Sequence, residues 1–366
     1  MPNIYTKLLA ISGGVLMTIF SSCSKEDQKQ AKEVAINMPV ALSLNYGEEK
    51  DLDLPADLLS QQDVNFTLAF TGNENIQINA DSRLYDQLAK AITLDRQVGK
   101  LHVNSGLIYP NGAVSGTTGK KLPDNYQVTL IANNQDETLK GKQTITVTVT
   151  PAKAGIRGLD NSGDLSYAYV LYSDPEAGFE LEANGLSLEG TSWYLDSTGI
   201  AGVVALSGNK IQFKKGAGNP DKKTEKVYEL LTTLRKDGFD VASRKFRVTF
   251  IPQIRFFYGT YYPEYDLTVV TNQVYIALGN AYVAAAPTLY PEKYKSAFSL
   301  IALEKDGIAF EDKDGLFSLN EKTGAITVKK NTSLTAGSYQ LRVKALTTTG
   351  LTFTTTMTLN MAKLEE

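Results

Sequence analysis

The feature that most restricts the fold of this chain is a pattern of short alternating segments that recurs three times. Each copy has two short strands joined by a tight turn, then a strand led by tyrosine, then a closing strand. The strand–turn–strand segments lie at 92–103, 206–213 and 317–328. Self-similarity of this kind predicts tandem domains of a single architecture.

The third copy shows the alternation most clearly. Apolar residues occupy every second position of its tyrosine strand: Tyr339, Leu341, Val343 and Ala345. Successive side chains of a strand point to opposite faces, so these residues are expected in a core and the polar residues between them in water. Two such sheets stacked form a sandwich of about 100 residues. The sequence therefore predicts an all-β fold of tandem β-sandwich domains.

The first residues have the features of an export signal. Lys7 precedes an apolar run that extends to Phe20, and this run is too short to span a bilayer as a helix. Small residues then precede Cys23, the only cysteine in the sequence. A charged flank, an apolar stretch and small residues before a cleavage point are typical of a secretory signal, which does not belong to the folded protein.

The run Phe20-Ser21-Ser22-Cys23 resembles the lipobox of bacterial lipoproteins, with Phe20 in the place of the usual leucine. The resemblance implies cleavage before Cys23 and lipidation of that cysteine, with about 0.8 kcal/mol of anchoring for each buried CH2. The charged residues at 24–27 look like the export tag of Bacteroidetes surface lipoproteins, and an ordinary solvated tether is the alternative. The expected location is the outer membrane, lipid-anchored and facing the cell exterior.

Proline punctuates the boundaries between copies. Pro151 and Pro252 each follow a strand-like segment, and proline lacks the N–H donor of a sheet ladder. The polar residues after Cys23 suit a flexible spacer. We therefore expect a signal peptide at 1–22, a flexible tether at 23–36, and sandwich domains at 37–151, 152–252 and 253–366.

Composition excludes several kinds of chemistry. With Cys23 as the lone cysteine and His102 as the lone histidine, neither a disulfide nor a His/Cys zinc site can form. His102 lies in an alternating segment and is expected on the surface or edge of a strand, so nucleophilic catalysis would depend on that one group. A net charge of −3 offers no basic face for nucleic acid. We predict that the protein is not an enzyme, although carboxylate-only chemistry stays formally open.

The repeats resemble the cadherin-like and immunoglobulin-like domains of bacterial surface proteins, most strongly in the third copy and least in the second. This resemblance implies a fold and says little about function. The calcium signature of cadherins is mostly missing, since Gln97 stands where a ligand glutamate would be expected. Acidic residues at 51–53 and 311–314 could bind calcium weakly, but solvated loops are the favoured interpretation, and no other cofactor is expected.

Aromatic residues cluster at the start of the third copy, at 256–265 and again at 290–294. Flat aromatic faces near carboxylates and amides suit sugars. Core packing is the alternative for any single tyrosine, and it is weakest for the two Tyr-Pro-Glu segments, where proline indicates loops. The candidate glycan-binding residues are Tyr258, Tyr261, Tyr262, Glu264, Tyr265, Tyr290, Glu292, Tyr294 and, in the second copy, Trp193.

A surface lipoprotein of β-sandwich repeats resembles the glycan-binding accessory proteins of Bacteroidetes polysaccharide utilisation systems. That resemblance implies capture of a polysaccharide or oligosaccharide for a TonB-dependent transporter complex, with contact to the membrane through the lipid anchor only and no nucleic-acid partner. The alternative is a structural or adhesive surface protein, such as a spacer, fimbrial or matrix component, that binds another protein.

Overall fold

The regular secondary structure of the chain is almost entirely β-strand in a computed structural model, which describes residues 31–61, 63–73, 76–171, 177–218 and 224–363. The predicted signal peptide, Cys23 and most of the predicted tether lie outside the described residues. The helices in these segments are α1 (Ala56–Leu59), α2 (Leu84–Ala91) and three 3-10 turns, Ser105–Leu107, Pro263–Tyr265 and Glu292–Tyr294. No helix in the described part of the chain is long and apolar enough to cross a membrane.

The first domain is a sandwich of two sheets. Its strands are β1 (Lys32–Glu33), β2 (Ala41–Asn45), β3 (Glu49–Asp53), β4 (Val64–Ala69), β5 (Ile92–Asp95), β6 (Lys100–Asn104), β7 (Tyr126–Asn134) and β8 (Leu139–Thr150). One sheet has the order β1–β8–β7–β4, with β2 also paired to β8, and the other has the order β3–β6–β5. The apolar side chains of both sheets meet in one core.

The second domain repeats this arrangement. Its strands are β9 (Ala152–Lys153), β10 (Gly155–Ile156), β11 (Leu165–Leu171), β12 (Gly178–Glu182), β13 (Thr191–Leu195), β14 (Val204–Ser207), β15 (Lys210–Phe213), β16 (Lys226–Lys236) and β17 (Phe239–Ile251). The sheet orders are β11–β17–β16–β13, with β9 also on β17, and β10–β12–β15–β14.

The third domain has the same two sheets and two extra ribbons. Its strands are β18 (Arg255–Phe257), β19 (Gly259–Tyr262), β20 (Leu267–Val270), β21 (Gln273–Ala277), β22 (Tyr282–Val283), β23 (Thr288–Tyr290), β24 (Lys295–Lys305), β25 (Ile308–Ala309), β26 (Phe317–Leu319), β27 (Ile326–Val328), β28 (Gly337–Thr347) and β29 (Thr352–Ala362). The main sheets are β21–β29–β28–β24–β25 and β22–β27–β26, and the ribbons are β18–β23 and β19–β20.

All three domains share one strand topology. In each, an early strand runs parallel to the closing strand: β2 with β8, β11 with β17, and β21 with β29. The closing strand pairs antiparallel with the tyrosine strand, giving β7–β8, β16–β17 and β28–β29. The predicted fold class, all-β with tandem immunoglobulin-like and cadherin-like sandwiches, is confirmed.

The tyrosine at the head of each tyrosine strand is buried and hydrogen-bonded to upstream backbone. The hydroxyl of Tyr126 donates to the carbonyl oxygen of Tyr109 at 2.8 Å, and that of Tyr228 to Ala217 at 2.5 Å. Tyr339 donates to Thr335 at 3.0 Å. These bonds satisfy the one polar atom of each buried ring and fix the chain that enters the strand, as in the tyrosine corner of immunoglobulin-like domains.

The predicted alternation and hairpins of the repeats are present. Tyr339, Leu341, Val343 and Ala345 are all fully buried in the third core, with more exposed residues between them. The strand–turn–strand segments form the antiparallel pairs β5–β6, β14–β15 and β26–β27. The alternation of apolar and polar residues therefore predicted the core-facing side of these strands correctly.

The N-terminal part of the first domain corrects one prediction. Lys32 and Glu33 form β1 and pair in parallel with Leu139 and Lys140 of β8. Ile36 is buried in the first core. Residues 32–36 therefore belong to the domain, and the prediction that they form part of a flexible tether is wrong, because their apolar side chains and backbone groups find partners on β8.

The first and second domains share a core. The β16–β17 turn, Asp237 and Gly238 with φ of 50° and 84°, lies against the first domain, where the N–H of Gly116 donates to the carbonyl of Gly238 at 2.8 Å. The hydroxyl of Tyr109 donates to the Asp237 carboxylate at 2.5 Å, and its ring lies 4.9 Å from that of Phe239. Phe239 is buried in the first core.

Candidate binding surface of the third domain

The ribbon β19–β20 places several of the predicted aromatic residues at the surface. Pro263 starts the 3-10 turn between the two strands, and Asp266 ends it in the left-handed region, with φ of 49°. At the base, Gly259 has φ of 143°, and a Cβ there would lie 2.1 Å from the carbonyl oxygen of Val269. Only glycine permits this close crossing of the two strands, so the position of the ribbon is fixed by its sequence.

Two tyrosines of this ribbon face water. The side chain of Tyr262 is 41% exposed and that of Tyr265 is 77% exposed. Tyr265 lies on the 3-10 turn and Tyr262 at the end of β19. Pro263 between them has no N–H to pair and limits the conformations of the turn. The result is a rigid loop that presents two aromatic rings to solvent.

Two further predicted tyrosines pack against each other beside this loop. The rings of Tyr261 and Tyr290 meet edge to face, with centroids 4.9 Å apart. The guanidinium carbon of Arg255 lies 4.4 Å from the centroid of the Tyr261 ring. We call the four residues Tyr261, Tyr262, Tyr265 and Tyr290 the tyrosine surface.

Asp266 is the hub of the polar contacts in this region. Its Oδ1 accepts a hydrogen bond from the Tyr261 hydroxyl at 2.6 Å and another from Arg255 Nη2 at 2.6 Å. The hydrogen bond to this carboxylate raises the pKa of the Tyr261 hydroxyl. Arg255 Nη1 also donates to Thr268 Oγ1 at 3.4 Å. The tyrosine surface is thus organised by a charged pair that sequence analysis did not select, although Arg255 and Asp266 flank the aromatic run.

Glu264 and Glu292 are both exposed. Glu264 lies between Tyr262 and Tyr265 on the 3-10 turn, and Glu292 follows Tyr290 and Pro291. Their carboxylates are therefore close in sequence to the rings and open to a ligand. The structure brings the two Tyr-Pro-Glu segments to one region through the contact of Tyr261 with Tyr290.

Two candidate residues are buried, and including them in a binding surface was wrong. Tyr258 is 2% exposed, belongs to the third core, and donates its hydroxyl to the carbonyl oxygen of Gly324 at 2.9 Å. Tyr294 is 3% exposed and donates to Glu225 Oε1 of the second domain at 2.6 Å. Burial raises the pKa of both hydroxyls. Each ring is taken up by packing, so neither face is available to a sugar.

Trp193 lies in the second domain, on β13. It is half-buried and packs against both the first and the second core. It lines a cavity of about 640 Å³ together with Leu181, Leu188, Leu206 and Asn209. No described contact joins Trp193 to the tyrosine surface, so the structure does not bring it together with the other candidates.

The structure also exposes tyrosines that the candidate set left out. Tyr167 and Tyr169 project from β11, with Ala168 and Val170 buried between and beyond them. Tyr275 on β21 is 78% exposed. Tyr167 and Tyr169 alternate with Ala168 and Val170 in the sequence, and this pattern could have predicted that the two tyrosines lie on the exposed face of the strand. Tyr172, which follows them, lies outside the described residues.

The groups considered for calcium or catalysis have protein partners. The two carboxylate oxygens of Asp312 accept the N–H groups of Leu316 and Phe317, each at 2.8 Å. Asp51 accepts from His102 at 2.8 Å, and this bond holds the pKa of the Asp51 carboxyl below its usual range. His102 lies on β6, at the centre of a three-stranded sheet, with a partly exposed side chain. The described residues contain no cluster of three or more potential metal ligands.

Comparisons with known proteins concern architecture alone. No protein-family model and no curated protein matches the chain. Among solved structures, Sidekick-1 immunoglobulin domains 1–4 align over 90% of this chain and 76% of that chain, at 14% identity and a TM-score of 0.29. Drosophila OTK extracellular domains 3–5 align over 91% and 99%, at 13% identity and a TM-score of 0.32. Protocadherin Gamma B2 cadherin domains 3–6 align over 89% and 73%, at 11% identity and a TM-score of 0.23.

Proposed function

We propose that this protein is a non-catalytic lipoprotein of the cell surface that binds polysaccharide through the tyrosine surface of its third domain. The observation that supports the proposal is the exposure of Tyr262 and Tyr265 on a rigid loop, next to the carboxylates of Glu264 and Asp266. Aromatic faces stack on the apolar C–H faces of sugars, and carboxylates accept their hydroxyl protons. Lipidation at Cys23 would hold this surface outside the cell.

The proposal assigns a capture step and no bond cleavage. The lone histidine, His102, is hydrogen-bonded to Asp51 in the first domain, far along the chain from the tyrosine surface. In the cell, the captured polymer would pass to an outer-membrane transporter of the TonB-dependent kind. Deleting the gene should then slow growth on the recognised polysaccharide without removing any hydrolytic activity from the cell surface.

The direct test is native affinity electrophoresis in gels that contain soluble polysaccharides. The variant Tyr262→Ala should bind a retarding polysaccharide about tenfold more weakly or less, since a stacked ring contributes on the order of 1 kcal/mol. The variant Tyr262→Ala/Tyr290→Ala should bind more weakly still. Tyr275→Ala is the control, because it removes an exposed ring of the same domain that does not belong to the tyrosine surface.

Melting temperatures separate binding from folding in this test. Tyr262 is half-exposed, so its loss should leave the melting temperature nearly unchanged, whereas loss of a buried ring costs about 3–5 kcal/mol. A double variant that melts normally and is retarded as strongly as the wild type would refute the tyrosine surface as the site.

A protein ligand is the second candidate, and one observation favours it. Leu267, Val269 and Val270 of β20 are about half exposed and directly follow the tyrosine surface. Exposed apolar patches of this kind mark protein-interaction sites. In the structural or adhesive alternative, Val269→Lys should abolish binding to a partner protein while polysaccharide retardation is absent in the wild type.

A further inference from the structure

The cation nearest to the tyrosine surface is already neutralised by the protein. Arg255 donates to the carboxylate of Asp266 at 2.6 Å, and its guanidinium plane is occupied on one side by the ring of Tyr261. Its second terminal nitrogen is directed to Thr268. A guanidinium committed in this way has little capacity left to form the forked pair with which arginine recognises a carboxylate or sulfate.

The two lysines nearby are also engaged. Lys293 Nζ lies 2.9 Å from Glu225 of the second domain. Lys295 Nζ lies 5.5 Å from the centroid of the Phe298 ring, which belongs to the third core. Both ammonium groups therefore already have a partner within the protein, one a carboxylate and the other a buried ring.

The carboxylates beside the rings are the charges left open. Glu264 and Glu292 are exposed, and neither makes an ion pair within the described ranges of the chain. A polyanion laid across the tyrosine surface would bring its charges close to both of them. Repulsion between like charges falls off over a Debye length of about 8–10 Å in ordinary buffers, so it acts across a site of this size.

We infer that the tyrosine surface selects neutral polysaccharides over anionic ones such as polyuronates and sulfated glycans. This inference rests on the proposed function and names its ligand class. Neutral sugars need only ring faces and hydroxyl acceptors, which the tyrosines, Glu264 and Glu292 supply. The specificity comes from the Arg255–Asp266 pair, which withholds the one guanidinium that an acidic sugar would need.

Asp266→Asn is the decisive variant, because it removes one negative charge and keeps the shape. Asparagine tolerates the left-handed backbone found at this position, and its amide oxygen can still accept from Arg255 and Tyr261. Arg255 then carries an unbalanced positive charge. Asp81→Asn in the first domain is the matched control, since it makes the same change of net charge at an exposed position remote in sequence.

The experiment uses affinity gels with neutral polymers (starch, galactomannan, xyloglucan) and anionic polymers (polygalacturonate, alginate). We expect wild type and Asp81→Asn to be retarded by at least one neutral polymer and by neither anionic one. Asp266→Asn should gain affinity for an anionic polymer by about tenfold, the order expected for one charge-assisted contact. High salt should cancel that gain and leave neutral binding unchanged.

Two results would overturn the inference while the proposed function stands. One is retardation of the wild type by an anionic polymer that is lost in Tyr262→Ala/Tyr290→Ala. The other is a normally melting Asp266→Asn that gains nothing on the anionic gels. If no polymer of either kind retards the wild type, the proposed function fails and the inference fails with it.

Discussion

Arg244 shows how one side chain orders a loop of the second domain. It is almost fully buried on β17, yet none of the carboxylates among the described residues forms a salt bridge with it. Its Nε donates to Ser166 Oγ at 2.8 Å, its Nη1 to the carbonyl of Gly163 at 2.7 Å, and its Nη2 to Asn161 Oδ1 at 3.3 Å. The same Asn161 oxygen accepts the N–H of Ile156. A buried cation is tolerated here because its donors are met by neutral acceptors.

Replacing Arg244 with methionine should destabilise the second domain by about 2–3 kcal/mol, since three hydrogen bonds to a charged group are lost and the buried Ser166 hydroxyl loses a partner. Arg247→Met, three residues along the same strand, is the control. Arg247 pairs with Glu229 at the surface, and such pairs contribute about 1 kcal/mol or less. Chemical denaturation of both variants measures the difference, and equal losses would show that the loop does not depend on Arg244.

At the scale of elements, the β16–β17 turn acts as a joint between the first two domains. Asp237 and Gly238 both adopt positive φ, as a two-residue hairpin turn requires. The same residues then accept hydrogen bonds from Tyr109 and Gly116 of the first domain. Phe239, one residue further, is buried in the first core. A local turn signal therefore also determines how two domains are packed together.

The variant Phe239→Ala should cost about 3–5 kcal/mol, as for other buried aromatic truncations, and should uncouple the first domain from the second. Calorimetry of the wild type should show these two domains unfolding in one transition, and the variant should show two. Phe317→Ala, in the third core, should lower only the third-domain transition. If the Phe239→Ala protein still unfolds its first two domains together at the wild-type temperature, the shared core does not couple them.

The sequence was informative about elements and less so about their contacts. The alternation of apolar and polar residues predicted the inward face of β28, and alternating segments joined by a tight turn predicted the hairpins. Both features follow from the local sequence. It did not predict helix α2, the pairing of β1 with β8 or the shared core, since these depend on residues distant in sequence. The candidate binding residues show the same limit, because contacts with residues distant in sequence decide which of them are exposed. Tyr262 and Tyr258 look equivalent in the sequence, but only Tyr258 is buried, with its hydroxyl donating to the carbonyl oxygen of Gly324.

At the scale of the whole molecule, we expect the contact between the second and third domains to weaken at low pH. Glu225 accepts from Tyr294 at 2.6 Å and pairs with Lys293 at 2.9 Å. The hydrogen bond from Tyr294 and then that from Lys293 hold the pKa of this carboxyl below its usual range. The stabilisation is thus complete above the unfolded pKa of about 4.3 and is lost as pH falls through the lower folded value.

Glu225→Gln should therefore destabilise the third domain at neutral pH, by about 1 kcal/mol or less because the pair is partly exposed. The difference from wild type should shrink as pH falls below about 4.3 and should be lost once pH has passed the lower folded pKa. Melting curves across pH measure this effect, and Glu264→Gln, which removes an exposed carboxylate of the third domain, serves as the control. A Glu225→Gln deficit that stays constant down to low pH would show that the carboxylate charge plays no part in the contact.

The anchoring proposal makes a prediction for the whole cell. Cys23→Ala should release the protein from membrane fractions, because no acyl chain can then be attached, and protease added to intact cells should degrade the wild-type protein. A Cys23→Ala protein that still sediments with membranes would contradict the lipid anchor.

The parallel pairing of early and closing strands has a mechanical consequence. If the chain is held at Cys23 and a bound polymer pulls on the third domain, as proposed above, tension enters the first domain at β1 and then β2, both parallel to β8, and leaves at the end of β8. Strands β2 and β8 run in the same direction over the five pairs from Ala41 to Asn45, so the load shears their hydrogen bonds together and does not open them one by one. The second domain meets the same load with β9 and then β11, both parallel to β17, and β11 is joined to β17 from Leu165 to Leu171. Forced unfolding is governed by the unfolding rate, and a ladder loaded in shear slows that rate, so the arrangement suits a tether that must hold its cargo against flow.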